Sequence, residues 1–131
     1  MDNSISKSFA AAASGMNVQS FRLRVASENL SNADTHGYKR KLVTFGQEMD
    51  KLTQSERVKI DGVSLDQSIG DQIYDPAHPL ANGQGMVISS NVDMMIELAD
   101  AREAGRSYEA NLSTFKQAGQ MYRSLIDLLR N

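Results

Sequence analysis

The chain has no cysteine and no tryptophan, and only two prolines and two histidines in 131 residues. Without cysteine it can form no disulfide framework, thiolate metal site or thiol nucleophile, which removes several enzyme classes at once. Four Tyr and four Phe are all its aromatics, too little material for a thick core, so a thin or extended architecture is expected. The formal net charge of −2 lacks the basic field that draws nucleic acid or anionic lipid. No stretch approaches the roughly 18 apolar residues of a membrane span, so a soluble chain is expected. The early run "SFAAAASGM" imitates the small-residue end of a secretory signal. The preceding "MDNSISK" is not basic, however, and no leucine-rich segment follows, so it reads as helix.

What is present in quantity is helical periodicity. Small or apolar residues fall at Ile5, Phe9, Ala12, Met16, Leu23, Ala26, Leu30 and Ala33, in steps of three and four broken only at Gln19. Ser4 is the expected N-cap of a helix over 4–32, roughly 44 Å long at 1.5 Å per residue. A longer seam runs through Met94, Leu98, Ala101, Gly105, Tyr108, Leu112, Phe115, Gly119, Tyr122, Ile126 and Leu129 without a miss. It predicts a helix over 91–130, roughly 60 Å long, capped by Ser89, Ser90 or Asn91. Asp93 and Glu97 near its start and Arg130 at its end suit the helix dipole.

Gly105 and Gly119 occupy seam positions where each forgoes about 1 kcal/mol of helix propensity. Either the long helix tolerates them or a neighbouring backbone comes close, with the small residues from Ala10 to Gly15 as the natural neighbour. Antiparallel helices of unequal length cannot cover each other's apolar stripes. Met121, Leu125 and Leu128 widen the uncovered stripe at the C-terminal end, so a partner helix or self-association is expected. The fold class is therefore mainly α. Segments 1–33 and 91–131 form one helical core domain, pairing as a coiled-coil-like hairpin, and 34–90 is a β-hairpin and loop insertion.

Within 34–90 turn formers are dense. "VKIDGVSLD" places Asp61-Gly62 between two alternating runs, the signature of a short hairpin. "DQIYDPAHPLANGQGMVIS" offers brief strands around Ile73 to Tyr74 and Met86 to Ile88. So small a segment needs support from the helices or a neighbouring subunit.

Catalytic signatures are missing. His36 and His78 have no metal-binding spacing, "DGVSLDQSIGD" fails as a calcium loop because Asp66 stands where glycine is required, and "NGQGM" lacks the lysine of a phosphate loop. No serine elbow appears. Lys39, Arg40 and Lys41 form the only basic triplet, with Tyr38 as the lone adjacent aromatic, too little for a nucleic-acid surface. No enzyme, cofactor, metal site, small-molecule substrate or nucleic-acid partner is expected.

Three segments resemble a known family, the axial proteins of the bacterial flagellum. "SENLSNADTHGYKRK" is similar to its signature after the first helix, "YDPAHPLANGQGMV" to a stretch typical of one rod member, and "DAREAGRSYEANL" to the start of that member's last helix. Met86, where the family usually has Tyr, and "ISSNVD", which lacks the usual proline, depart from the pattern. The resemblance implies a structural subunit of the proximal rod of the basal body, in the periplasmic space. It also implies export by the flagellar type III apparatus without a cleaved signal, and helical assembly with other rod proteins and copies of itself.

The expected assembly residues are Phe9, Met16, Leu23 and Leu30 on the first helix, and Leu98, Gly105, Tyr108, Leu112, Phe115, Gly119, Tyr122, Ile126 and Leu129 on the last. Gly37 allows the reversal after the first helix, and Tyr38, Lys39 and Arg40 are expected to touch neighbouring subunits. Much of both helices is expected to be mobile and to order on assembly. Another rod or rod-junction protein, or a free-standing helical adaptor that binds a partner helix, are the alternatives.

Overall fold

A computed structural model describes residues 2–52 and 54–131, with side chains from residue 4 onward. Its elements run α1 (Asp2–Ser31), β1 (Lys41–Met49), β2 (Glu56–Leu65), β3 (Gln72–Tyr74), β4 (Met86–Ile88) and α2 (Met94–Arg130). Helix makes up about 51% of the chain, as two helices packed together, and the middle holds two small antiparallel sheets.

The helix pair is antiparallel: Phe9 meets Phe115, Gly15 meets Asn111 and Arg22 meets Asp100, so partners descend along α2 as α1 ascends. The core between them is thin, as the scarcity of aromatics requires. Its buried apolar residues are Ala12, Val18, Val25 and Ala26 of α1 and Ala104 and Ala118 of α2, and small side chains let helices approach closely. The chain exposes 9193 Å² of surface. A compact monomer of 14.4 kDa would expose about 6,800 Å², so the molecule is elongated.

Both helix starts differ from expectation. Ser4 lies inside α1, which begins at Asp2, within the one or two residues by which helix ends shift freely. α2 starts at Met94 rather than 91, because the Asp93 carboxylate accepts the backbone N–H of Met95 at 2.9 Å and of Ile96 at 3.3 Å. Ser90 and Asn91, two of the expected caps, bond elsewhere: Ser90 Oγ donates to Ala33 O, and Asn91 Nδ2 donates to Asp66 O at 2.9 Å. At its other end α1 stops at Ser31, where Asn32 Nδ2 donates to Glu28 O at 2.9 Å. Gly37 then takes a φ of 73°, the left-handed turn expected of it, and donates its N–H to Ile88 O at 3.1 Å.

The Asp61-Gly62 turn is corrected. Both residues lie within β2, where Thr44 faces Gly62, Phe45 faces Ile60, and Asp61 is left over as a bulge. Gly46 makes room, since a β-carbon there would strike the Asp61 carboxylate. The actual reversal lies at Asp50, whose side chain accepts Leu52 N–H at 2.9 Å while its carbonyl accepts Gln54 N–H at 2.8 Å. The short strands expected at 73–74 and 86–88 are present as β3 and β4, in the register Ile73 opposite Val87.

Candidate assembly interface

On α2 the face turned toward α1 runs through Glu97, Ala104, Asn111 and Ala118, an exact seven-residue repeat of small and polar side chains. The apolar seam read from the sequence lies one position further on, at Leu98, Gly105, Leu112, Gly119 and Ile126, flanking that face. Leu98 is 41% exposed, Phe115 38%, Tyr122 48%, Ile126 39% and Leu129 80%, while Gly105, Tyr108, Leu112 and Gly119 are half-buried. On α1, Phe9, Met16, Leu23 and Leu30 are all half-buried at the rim of the pair. Phe9 meets Phe115 edge to face with ring centroids 4.9 Å apart.

Within the chain neither seam glycine meets a backbone. A β-carbon on Gly105 would find nothing within 4 Å, and one on Gly119 would touch only the Phe9 ring, at 3.7 Å. The close approach falls instead at Gly15, where a β-carbon would lie 2.6 Å from Asn111 Oδ1. At the far end Ile5, Met121, Leu125 and Leu128 line an open apolar groove, with Leu128 75% exposed.

A polar clasp fixes the β-arm to the helices. Arg40 Nε pairs with Glu97, and Arg40 Nη2 lies 2.9 Å from Asp100 Oδ2. Arg22 Nη2 reaches the other Asp100 oxygen at 3.3 Å and Glu103 at 3.2 Å. Burial works to lower the Arg40 pKa, but the Glu97 hydrogen bond and charge, with Asp100 and Asp66, raise it above the usual value. Asn29, 1% exposed, accepts Tyr38 O–H at 3.0 Å and Lys41 N–H at 2.9 Å and donates to Lys41 O at 3.0 Å. Burial, then the Glu28 charge, pushes the Tyr38 pKa up. Lys41 is raised by its hydrogen bond to Glu28, and Asp66 is lowered by the Ser68 N–H and hydroxyl.

Tyr38 and Arg40, read from the sequence as contacts to neighbours, are thus bonded within their own chain, beside a half-buried Lys39. Sequence spacing alone does not group Glu97, Asp100, Arg22, Asn29 and Asn91. Its one hint is the run Glu97, Asp100, Glu103, three carboxylates in steps of three along one side of the helix. His36 and His78 come together across the loops, ring centroids 4.6 Å apart, although their sequence spacing gives no hint of it. His78 Nδ1 accepts Leu80 N–H at 3.1 Å, and among the described residues no three metal-ligating side chains gather. No helix is long and apolar enough to cross a membrane among the described residues.

The elongated antiparallel helix pair with its clasped arm leaves a partly exposed apolar flank along α2, and exposed apolar faces of this kind mark protein interfaces more often than monomer surfaces. Residues 9–39 match the family described as flagella basal body rod protein, and residues 84–128 match the C-terminal region of the flagellar basal body rod FlgEFG proteins. The flagellar basal-body rod protein FlgC of Agrobacterium fabrum (strain C58 / ATCC 33970) is 48% identical, with 91% of each chain covered. FlgC of Escherichia coli O6:H1 is 32% identical over 92% of this chain and 94% of its own. That of Bacillus subtilis (strain 168) is 30% identical over 89% and 93% respectively. The chain belongs to the FlgC family of flagellar basal-body rod proteins. It is a structural component of the basal-body rod, not an enzyme.

Proposed function

We propose that this chain is a proximal-rod subunit that passes torque through laterally packed helix pairs. The observation that carries this is the flank of α2 from Leu98 to Leu129, an apolar seam that α1 covers only in part. In this reading 1–33 and 91–131 act as one helical core, paired as a coiled-coil-like hairpin whose two edges dock on other rod proteins and on copies of this chain. The seam residues Phe9, Met16, Leu23 and Leu30 of α1, and those from Leu98 to Leu129 of α2, form the contacts. Of the loop residues 38–40, Lys39 makes no ion pair among the described side chains, and it meets a neighbour's acidic surface beside the clasp. Heterologous contacts of this kind propagate into an open helical array rather than a closed ring.

The flagellar type III apparatus is the proposed route to the periplasmic rod, and narrow helices suit passage in an unfolded or partly helical form. Without neighbours the overhanging end of α2 has little to hold it, so it is mobile until assembly. Leu112→Lys tests the reading: this half-buried seam residue should leave the monomer helical by circular dichroism while excluding it from purified basal bodies. Incorporation at the wild-type level would refute the seam assignment.

A further inference from the structure

We infer that the helix covering the outer flank of α2 belongs to a different protein and carries a column of carboxylates facing Arg102, Lys116 and Arg123. This rests on the rod-subunit reading and names the partner of its seam. Four residues beyond the seam positions 98, 105, 112, 119 and 126 lies a second heptad column: Arg102, Glu109, Lys116, Arg123 and Arg130. Every member is exposed, and none of the four basic residues makes an ion pair among the described side chains. In paired helices the columns beside the apolar seam choose the partner by opposite charge.

The carboxylates of the chain's own helices form no column that answers this one. Glu97, Asp100 and Glu103 point to Arg40 and Arg22 within the chain. α1 contains only Asp2 and Glu28, and Glu28 is paired with Lys41. A second copy would therefore offer α1 with no acidic column, or α2 with the same basic one, opposing like charges. Gly105 adds the shape term. Nothing lies within 4 Å of where its β-carbon would be, so an outside helix can approach closely between Leu98 and Leu112.

The test uses the full chain and two synthetic amphipathic helices of about 28 residues, identical in their leucine seams and bearing glutamate or lysine in the flanking columns. Binding is followed by fluorescence anisotropy. The glutamate peptide should bind more tightly by roughly tenfold, from about twofold for each of three rim pairs, and the difference should shrink as salt is raised. Arg102→Glu, Lys116→Glu and Arg123→Glu together should reverse the preference, with the helix content unchanged. Equal binding of both peptides, binding of neither, or no response to the triple substitution would overturn the inference. So would self-association of the wild-type chain that the triple substitution abolishes. The rod reading is tested separately by Leu112→Lys, so failure of one is distinguishable from failure of the other.

Discussion

Arg40 and Glu97, 57 residues apart in sequence, form an ion pair in which the carboxylate side chain is 2% exposed and the guanidinium 18%. Removing one partner of such a buried pair leaves an uncompensated charge, whereas replacing both with apolar groups need not. The two partners are unequal. Arg40 keeps Asp100 at 2.9 Å and some contact with water if Glu97 is lost, while Glu97 has no second cation paired with it among the described residues. Arg40→Met should therefore destabilise by about 3 kcal/mol in urea unfolding, and Glu97→Ala by about 2 kcal/mol. The double variant Arg40→Met with Glu97→Leu should recover much of the Arg40→Met loss.

The same clasp sets the pH limits. Tyr38 and Lys41 are raised above 10.0 and 10.5, so their contributions are fully present below those values and are lost as pH climbs through the raised ones. Asp66 is lowered from 3.8, so its contribution is present above that value and lost as pH falls through the lowered one. Thermal midpoints should be flat between these limits and fall on both sides. Tyr38→Phe should flatten the alkaline fall, after an overall loss of about 1 kcal/mol for the hydrogen bond to Asn29. An unchanged alkaline profile in that variant would remove Tyr38 from the account.

Gly15 of α1 lies directly against the side-chain amide of Asn111 of α2. Gly15→Ala gains about 1 kcal/mol of helix propensity but drives its methyl into the Asn111 amide, at 2.6 Å. The substitution should be destabilising in the wild-type chain and stabilising by about 1 kcal/mol in an Asn111→Ala background. A double-mutant cycle by chemical denaturation reads that change of sign.

Gly105 separates stability from assembly. With open space around it, Gly105→Ala should stabilise the isolated chain by about 1 kcal/mol. It should also reduce incorporation into rods, because the added methyl stands where an outside helix approaches. Improved stability with undiminished incorporation would mean that no backbone comes near.

Sequence periodicity exposed the helices because apolar residues at three- and four-residue steps dictate a stripe, and β3 and β4 because Pro and Gly punctuate them. The face of α2 that packs on α1 was harder to see. Glu97, Ala104, Asn111 and Ala118 carry almost no hydrophobic signal, so the eye falls on the bulkier column one residue later. The Asp61-Gly62 error has a similar origin, since the same dipeptide serves a hairpin turn or a bulge and the choice rests with the partner strand, here Gly46. The clasp could not be read locally. It joins Arg22, Arg40 and Glu97, side chains that meet only once the helices are antiparallel and in register.

A subunit-resolved image of the assembled rod would show what lies against α2. The expected result is a neighbouring subunit's helix along Leu98, Gly105, Leu112 and Gly119, with its backbone closest at Gly105. A flank left facing water, with subunits joined instead through the β1–β2 arm, would contradict it.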